Sequence, residues 1–303
     1  MSIKSIITVG LLAGLAASAW AAPLSSVVVF GDSLSDTGLA YQAILASRQE
    51  TVPPAPYFEG RFSNGPVAVE IMAAQLGLPL QSLAYGGATT GTGNILDLDG
   101  DLDHTGLQDQ IDAYIQGGLD PNALLVLWAG TNDFIMNTDT MQGVVGNLSA
   151  GMNKLAEAGG RHFFIPAMPD MSAMPMLLGK QRFRDLSLGF NASLNQASQL
   201  FLQQHPDLDV RWFDTPLVLD GLKNSTVFSD TTHACIAGDF YAVASVCGSP
   251  ESFMFWDRTH FSAATHQVLG TAFAAAVPEP SGQTLFALGL VLLVMTWTTR
   301  QQS

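Results

Sequence analysis

Basic residues are scarce in this sequence: 12 Lys and Arg stand against 26 Asp and Glu, a formal net charge of −14. That balance excludes nucleic acid as a partner, because affinity there rests on neutralising phosphates with Lys and Arg. It also disfavours docking of the soluble part on an anionic membrane surface. Cysteine is nearly absent, with Cys235 and Cys247 alone, so a third or fourth ligand for a thiolate zinc site is missing. Charged residues make up 13% of the chain, well below the usual quarter or so. Between the two ends there is no repeat, low-complexity tract or long linker.

What is present is apolar. Hydrophobic residues form 48% of 303 positions, ample for the core of one large domain or two small ones. The ends stand apart from that core. Lys4 precedes an apolar run from Ile6 to Ala17 and then Ala19-Trp20-Ala21, the order of a secretory leader cut after Ala21. Residues 1–21 are therefore expected to be a signal peptide, with signal peptidase as a processing partner, and export permits a disulfide. At the far end, Val277-Pro278-Glu279-Pro280 precedes an uncharged stretch from Ser281 to Thr299, closed by Arg300. A helix over that stretch would span about 28 Å, close to the thickness of a bilayer's hydrocarbon core.

Between the ends, apolar runs alternate with segments of helical period, the pattern of a parallel sheet covered on both faces. Strands are expected at Ser26–Phe30, around Gln81 to Ala84, at Leu124–Ala129, His162–Pro166 and Leu208–Phe213. Helices are expected from Asn64-Gly65-Pro66 to Gly77, from Met141 to Ala158, from Lys180 to Gln204 and from Ser262 to Ala275. Pro-rich Val52-Pro53-Pro54-Ala55-Pro56 must be a loop. The architecture implied is a three-layer α/β/α sandwich on five parallel strands, with residues 22–276 as its domain.

Four short blocks stand at strand ends, where open α/β sheets bind ligands. Gly31-Asp32-Ser33-Leu34 places a hydroxyl at the end of the first strand. Ala84-Tyr85-Gly86-Gly87-Ala88-Thr89 carries paired glycines that let a backbone N–H approach a ligand. Gly130-Thr131-Asn132-Asp133 offers a side-chain amide as a donor. In Trp256-Asp257-Arg258-Thr259-His260, a carboxylate and an imidazole three apart can meet on one helical turn. Each block alone also reads as turn or cap chemistry.

Together, in this order, the blocks resemble those of the GDSL esterase/lipase family, also called SGNH hydrolases. The likeness runs from about Val27 to Ala275 and includes Gly60-Arg61-Phe62-Ser63-Asn64-Gly65-Pro66 and Phe255-Trp256-Asp257. It implies a flavodoxin-like fold and ester hydrolysis without metal or cofactor. It also implies that Ser33 is the nucleophile, His260 the general base and then acid, and Asp257 the carboxylate that orients it. The oxyanion would be held by the backbone N–H groups of Ser33 and Gly87 and the side-chain amide of Asn132. Three departures bear on substrate fit: Leu39 stands where the family often has Asn, Ser82 where Asn is frequent, and Phe261 in place of the usual Pro. The tail 277–303 resembles a PEP-CTERM sorting signal, which implies an exosortase-type protease as a partner and an anchor held transiently or stably at the cell surface; an ordinary membrane anchor is the other reading.

Secondary candidates are weaker. Cys235 and Cys247 are expected to form a disulfide, worth roughly 3 kcal/mol in the chain-entropy picture; two free buried thiols are the alternative. The acidic run Asp97 to Asp103 suggests calcium but fails as an EF-hand loop, since Leu102 replaces the required glycine and Gln108 the bidentate glutamate. His104, His162, His205 and His233 show no partner in sequence, and His266 is expected to pack the closing helix. Met168, Met171, Met174 and Met176 could line an acyl pocket or fill the core. The substrate would be a carboxylic ester of a small molecule, lipid or glycan, including an acetylated polysaccharide. Acyl transfer would use the same residues. A surface-anchored structural or carbohydrate-binding protein on a decayed scaffold is the reading from another class.

Overall fold

A computed structural model of the protein describes residues 23–277; the expected leader, and the expected tail beyond Val277, lie outside the described residues. The chain runs β1 (Ser26–Gly31), α1 (Leu39–Arg48), α2 (Ala68–Leu76), β2 (Leu80–Ser82), α3 (Leu107–Gln116) and β3 (Ala123–Trp128). It continues through α4 (Thr131–Met136), α5 (Met141–Glu157), β4 (His162–Pro166), α6 (Gln181–Gln204), β5 (Asp209–Phe213) and α7 (Thr215–Lys223). Three short strands, β6 (Asp230–Ala234), β7 (Ile236–Gly238) and β8 (Val243–Val246), lead to β9 (Phe253–Phe255) and the closing α8 (Ala263–Ala275).

The main sheet has five parallel strands in the order β2-β1-β3-β4-β5. The chain steps from β1 outward to β2 and then crosses back to β3, so the strand order reverses at the β1/β3 boundary. A ligand crevice is expected beyond the carboxyl ends of those two strands. Parallel strands must be covered on both faces, and the side chains here alternate accordingly. Phe163 meets Phe201 of α6 on one face, while its neighbour Phe164 meets Phe273 of α8 on the other. All six residues of β3 are buried. Each Leu there stabilises the fold by about 1.5–3 kcal/mol.

Local signals set the helix starts. The Thr140 side chain accepts from Gly143 N–H to open α5, Asp214 from Leu217 N–H to open α7, and Ser262 from Thr265 N–H to open α8. Glu70 reaches back to Val67 N–H at the start of α2. Several elements depart from expectation. Residues 131–136 form the short helix α4, where the sequence suggests a strand-end turn. Helices α3 and α7 and the small strands between 230 and 255 have no counterpart among the expected elements. No helix among the described residues is long and apolar enough to cross a membrane.

Candidate active site

Ser33 lies two residues beyond β1. Its Oγ stands 2.9 Å from His260 Nε2, and His260 Nδ1 stands 2.7 Å from Asp257 Oδ2. A carboxylate only accepts, so Nδ1 carries the proton and Nε2 is left to receive one from the Ser33 hydroxyl. Asp257 and His260 do not share a helical turn as their spacing suggests. They sit in the loop between β9 and α8, where Asp257 Oδ1 accepts from the backbone N–H of Thr259 and of His260. Such a side-chain-closed turn brings the two groups together as well as a helix would. Burial pushes the Asp257 carboxyl up, but the facing His260 and the hydrogen bonds from His260, Tyr57 and Thr259 bring it below the usual range. The pair is dry: its side chains are 2% and 5% exposed.

Three groups retain an N–H to donate. The backbone N–H groups of Ser33 and Gly87 have no acceptor among the described residues. Asn132, at the start of α4, gives one amide proton to Ala88 O at 2.9 Å, which leaves the second free. Gly87 must be glycine on two counts: its φ is +82°, and a Cβ would meet Asn94 Oδ1 at 2.3 Å. At Gly86 a Cβ would strike the Phe62 ring at 2.1 Å.

Buried carboxylates lock these loops to one another. Asp36 accepts from the N–H groups of Gly38, Leu39 and Ala40 and from Gly86 N–H, tying the start of α1 to the glycine pair. Asp133 accepts from Thr90 N–H and hydroxyl, tying α4 to the same loop. Burial pushes both carboxyls up to about 6, and that of Asp32 up to about 7. Phe62 and Phe240 close over the imidazole, with ring centroids 5.0 and 5.8 Å from His260. Phe240 is carried by the hairpin β7–β8, closed at its base by the bond between Cys235 and Cys247.

The sequence matches the GDSL-like lipase/acylhydrolase family over residues 27–273. The chain belongs to that family. Among GDSL relatives it is 28% identical to the thermolabile hemolysin of Vibrio parahaemolyticus, covering 80% of this chain and 62% of the relative. It is 28% identical to the phosphatidylcholine-sterol acyltransferase of Aeromonas hydrophila, covering 86% and 81%. Esterase EstA of Pseudomonas aeruginosa is also 28% identical, over 86% of this chain and 48% of its own length. The chain thus spans about half to four-fifths of these relatives. An acetylxylan esterase of Geobacillus stearothermophilus has the same fold, with a TM-score of 0.50 and 13% identity over 84% of this chain and 96% of that one.

Two departures from the GDSL pattern have local explanations. The Ser82 hydroxyl donates to Ser35 O and accepts from Ala84 N–H. Phe261 is buried and stacks on Phe255, while its carbonyl accepts from the Ser63 hydroxyl. With Asn64 accepting from Ala263 N–H, the Ser63 bond fastens the Gly60–Pro66 segment to the His260 loop.

Two residues of this GDSL site had no signal in the sequence. Gln110 of α3 accepts from Gly31 N–H and donates to Gly31 O, clamping the end of β1 where β2 has already stopped. Tyr57, at the end of the Pro-rich loop, donates to Asp257 Oδ2 at 2.6 Å. Other candidates fall elsewhere. Met168, Met171 and Met174 are buried in the main core. His266 is buried and accepts from Ala68 N–H, pinning α8 to α2; burial pushes its proton affinity down to about 3. His162 and His233 have the partners Asp209 and Asp230 that sequence spacing did not disclose. In the acidic run, Asp101 pairs with Arg48 and Asp97 accepts from Gly100 N–H. Among the described residues no cluster of three or more His, Cys, Asp or Glu could hold a metal ion.

Proposed function

We propose that this GDSL-family ester hydrolase works in two steps through an acyl-Ser33 intermediate. Ser33 Oγ attacks the ester carbonyl carbon while His260 Nε2 takes the hydroxyl proton, and Asp257 stabilises the imidazolium that forms. The carbonyl oxygen gains its negative charge among the N–H groups of Ser33 and Gly87 and the free amide proton of Asn132. Because those donors are already oriented by buried hydrogen bonds, they need no reorganisation as charge develops. The imidazolium returns its proton to the departing alcohol. Water, deprotonated by Nε2, then attacks the acyl carbon and releases the acid and Ser33. The observation that carries this reading is the continuous line Ser33 Oγ, His260, Asp257.

The relatives' names point to lipid esters and to acyl transfer, and transfer to an alcohol acceptor differs only in what replaces water at the second step. The acetylated-glycan reading stays within the same chemistry. A non-catalytic scaffold would have no use for a buried, fully hydrogen-bonded relay. We further place residues 1–21 as a cleaved leader, 22–276 as the hydrolase domain and 277–303 as a membrane-anchoring or exosortase-processed tail, which makes the enzyme an exported one.

Ser33→Ala should abolish turnover of p-nitrophenyl esters, and wild-type enzyme quenched during turnover should show the acyl mass on the peptide containing Ser33. Turnover retained by Ser33→Ala would overturn the reading. A panel of ester chain lengths set beside acetylated glycans, with and without an alcohol acceptor, ranks the substrates.

A further inference from the structure

Asp257 accepts four hydrogen bonds. Oδ1 takes the backbone N–H groups of Thr259 and His260 at 2.7 and 2.6 Å. Oδ2 takes His260 Nδ1 at 2.7 Å and the phenolic hydroxyl of Tyr57 at 2.6 Å. A carboxylate has about four lone-pair sites, so Tyr57 fills the last and competes with the imidazole for one oxygen. Its hydroxyl has no second partner among the described residues. The ring itself packs in a small apolar cluster with Cys235, Ile236 and Trp256, where a phenylalanine would fit equally well. The phenol group therefore serves the carboxylate and not the packing. Burial and the facing Asp257 charge push the Tyr57 proton affinity far up, so it remains a donor throughout the working pH range.

We propose that Tyr57 is a positioning residue of the serine relay: its hydroxyl fixes the Asp257 carboxylate and draws off part of its charge, setting how strongly the imidazole holds the proton taken from Ser33. This rests on the reading of Ser33, His260 and Asp257 as the reacting groups. Removing the hydroxyl concentrates charge on Oδ2, tightens its hold on Nδ1–H and favours the imidazolium. It also frees the carboxylate to turn. Protonated imidazole cannot accept from Ser33, so the acidic limb of the pH profile moves upward. The titratable groups that face this pair are Asp32 after β1, His266 of α8 and Asp239 of the β7–β8 hairpin, which faces Tyr57. They are the same in wild type and in the Tyr57 variants, so a difference between the two reports the phenol bond.

The test is the pH dependence of kcat/KM for p-nitrophenyl acetate in Tyr57→Phe, with Trp256→Phe and His260→Ala in parallel. For Tyr57→Phe the acidic limb should move up by about half a pH unit and kcat fall about tenfold, with KM within about twofold of wild type. Trp256→Phe, which keeps the hydroxyl but alters the ring it packs on, should lower Tm and leave the limb in place. A Tyr57→Phe limb superimposed on wild type overturns the proposal, whatever happens to Tm. If His260→Ala abolishes turnover while Tyr57→Phe leaves the limb unmoved, the relay reading stands and Tyr57 alone is excluded; activity retained by His260→Ala removes both. Should Tyr57→Phe fail to fold, 3,5-difluorotyrosine at position 57 is the second variant. Its stronger donor should move the limb downward, and an unmoved limb is again fatal.

Discussion

Two of the molecule's histidine–aspartate pairs stand at opposite ends of the main sheet. His260 and Asp257 lie beyond the carboxyl ends of the strands, whereas His162 and Asp209 are the first residues of β4 and β5 and face each other in register. In the second pair Nδ1 is 3.3 Å from the carboxylate, whose Oδ1 also accepts from Arg211 Nε at 2.9 Å. Its side chains are 11% and 34% exposed, against 5% and 2% for the first. An arginine competes for that carboxylate and water screens it. On the far nitrogen of His162 there is no hydroxyl partner among the described residues. Proximity of imidazole and carboxylate is thus the smaller part of a relay; a dry setting, a carboxylate that no arginine claims and a nucleophile on the other nitrogen make the difference.

The sharpest way to break this comparison is to delete each imidazole. His260→Ala should lose about 10⁵–10⁶-fold in kcat, whereas His162→Ala should keep kcat within about twofold and show only a change in Tm. Equal losses would erase the distinction. Next in size is Asn132→Ala, for which kcat should fall about 10²–10³-fold with KM little changed. A parallel change in KM would place the amide in ordinary substrate binding.

Replacing Cys235 and Cys247 together by Ser should cost about 3 kcal/mol in denaturant unfolding. The loss should appear first as faster opening at the Phe240 side of the imidazole, not at the His162 end, when amide exchange is followed by mass spectrometry. The smallest effect separates the two ends by pH. At the site end burial raises the carboxyls of Asp32, Asp36 and Asp133, whereas at the other end that of Asp209 is lowered: burial there is outweighed by hydrogen bonds from His162 and Arg211. With its carboxyl pushed to about 7, folded Asp32 holds a proton that the unfolded chain releases near pH 4. Its contribution is complete below about pH 4 and is lost as pH rises through about 7. Wild type should therefore lose Tm more steeply than Asp32→Asn between about pH 4 and 7; identical slopes would refute the assignment. For Asp209 the sign reverses, with stability lost only as pH falls below the carboxylate range.

Much of the sheet could be read from the chain because its strands are short apolar runs. His162–Pro166 is found where its composition places it, and β3 departs by one residue at each end. What could not be read is held by distant or polar partners. Gln110 and Tyr57 acquire their roles from residues 79 and 200 positions away, and nothing in their local sequence distinguishes them from solvated side chains. Strands β6, β7 and β8 are mostly half-buried or exposed, so no alternation of apolar residues betrays them. Residues 131–136 were ambiguous because a Gly-Thr-Asn-Asp stretch serves a turn or a helix start equally well. The spacing of Asp257 and His260 indicated a neighbouring pair, but the turn that joins them is closed by the carboxylate itself.

The loops bearing Ser33, Gly87 and Asn132 are bound to one another through Asp36, Asp133 and the Ala88 carbonyl, so none can move without dragging the other two. The β7–β8 hairpin has no such obligations: beyond its sulfur-bridged base most of its residues face solvent, and Phe240 is its one finger over the imidazole. Variation in what is cleaved can therefore accumulate in the hairpin while the reacting loops stay unchanged. A graft of residues 236–246 from a relative with other preferences would transplant selectivity and leave the chemistry where it was.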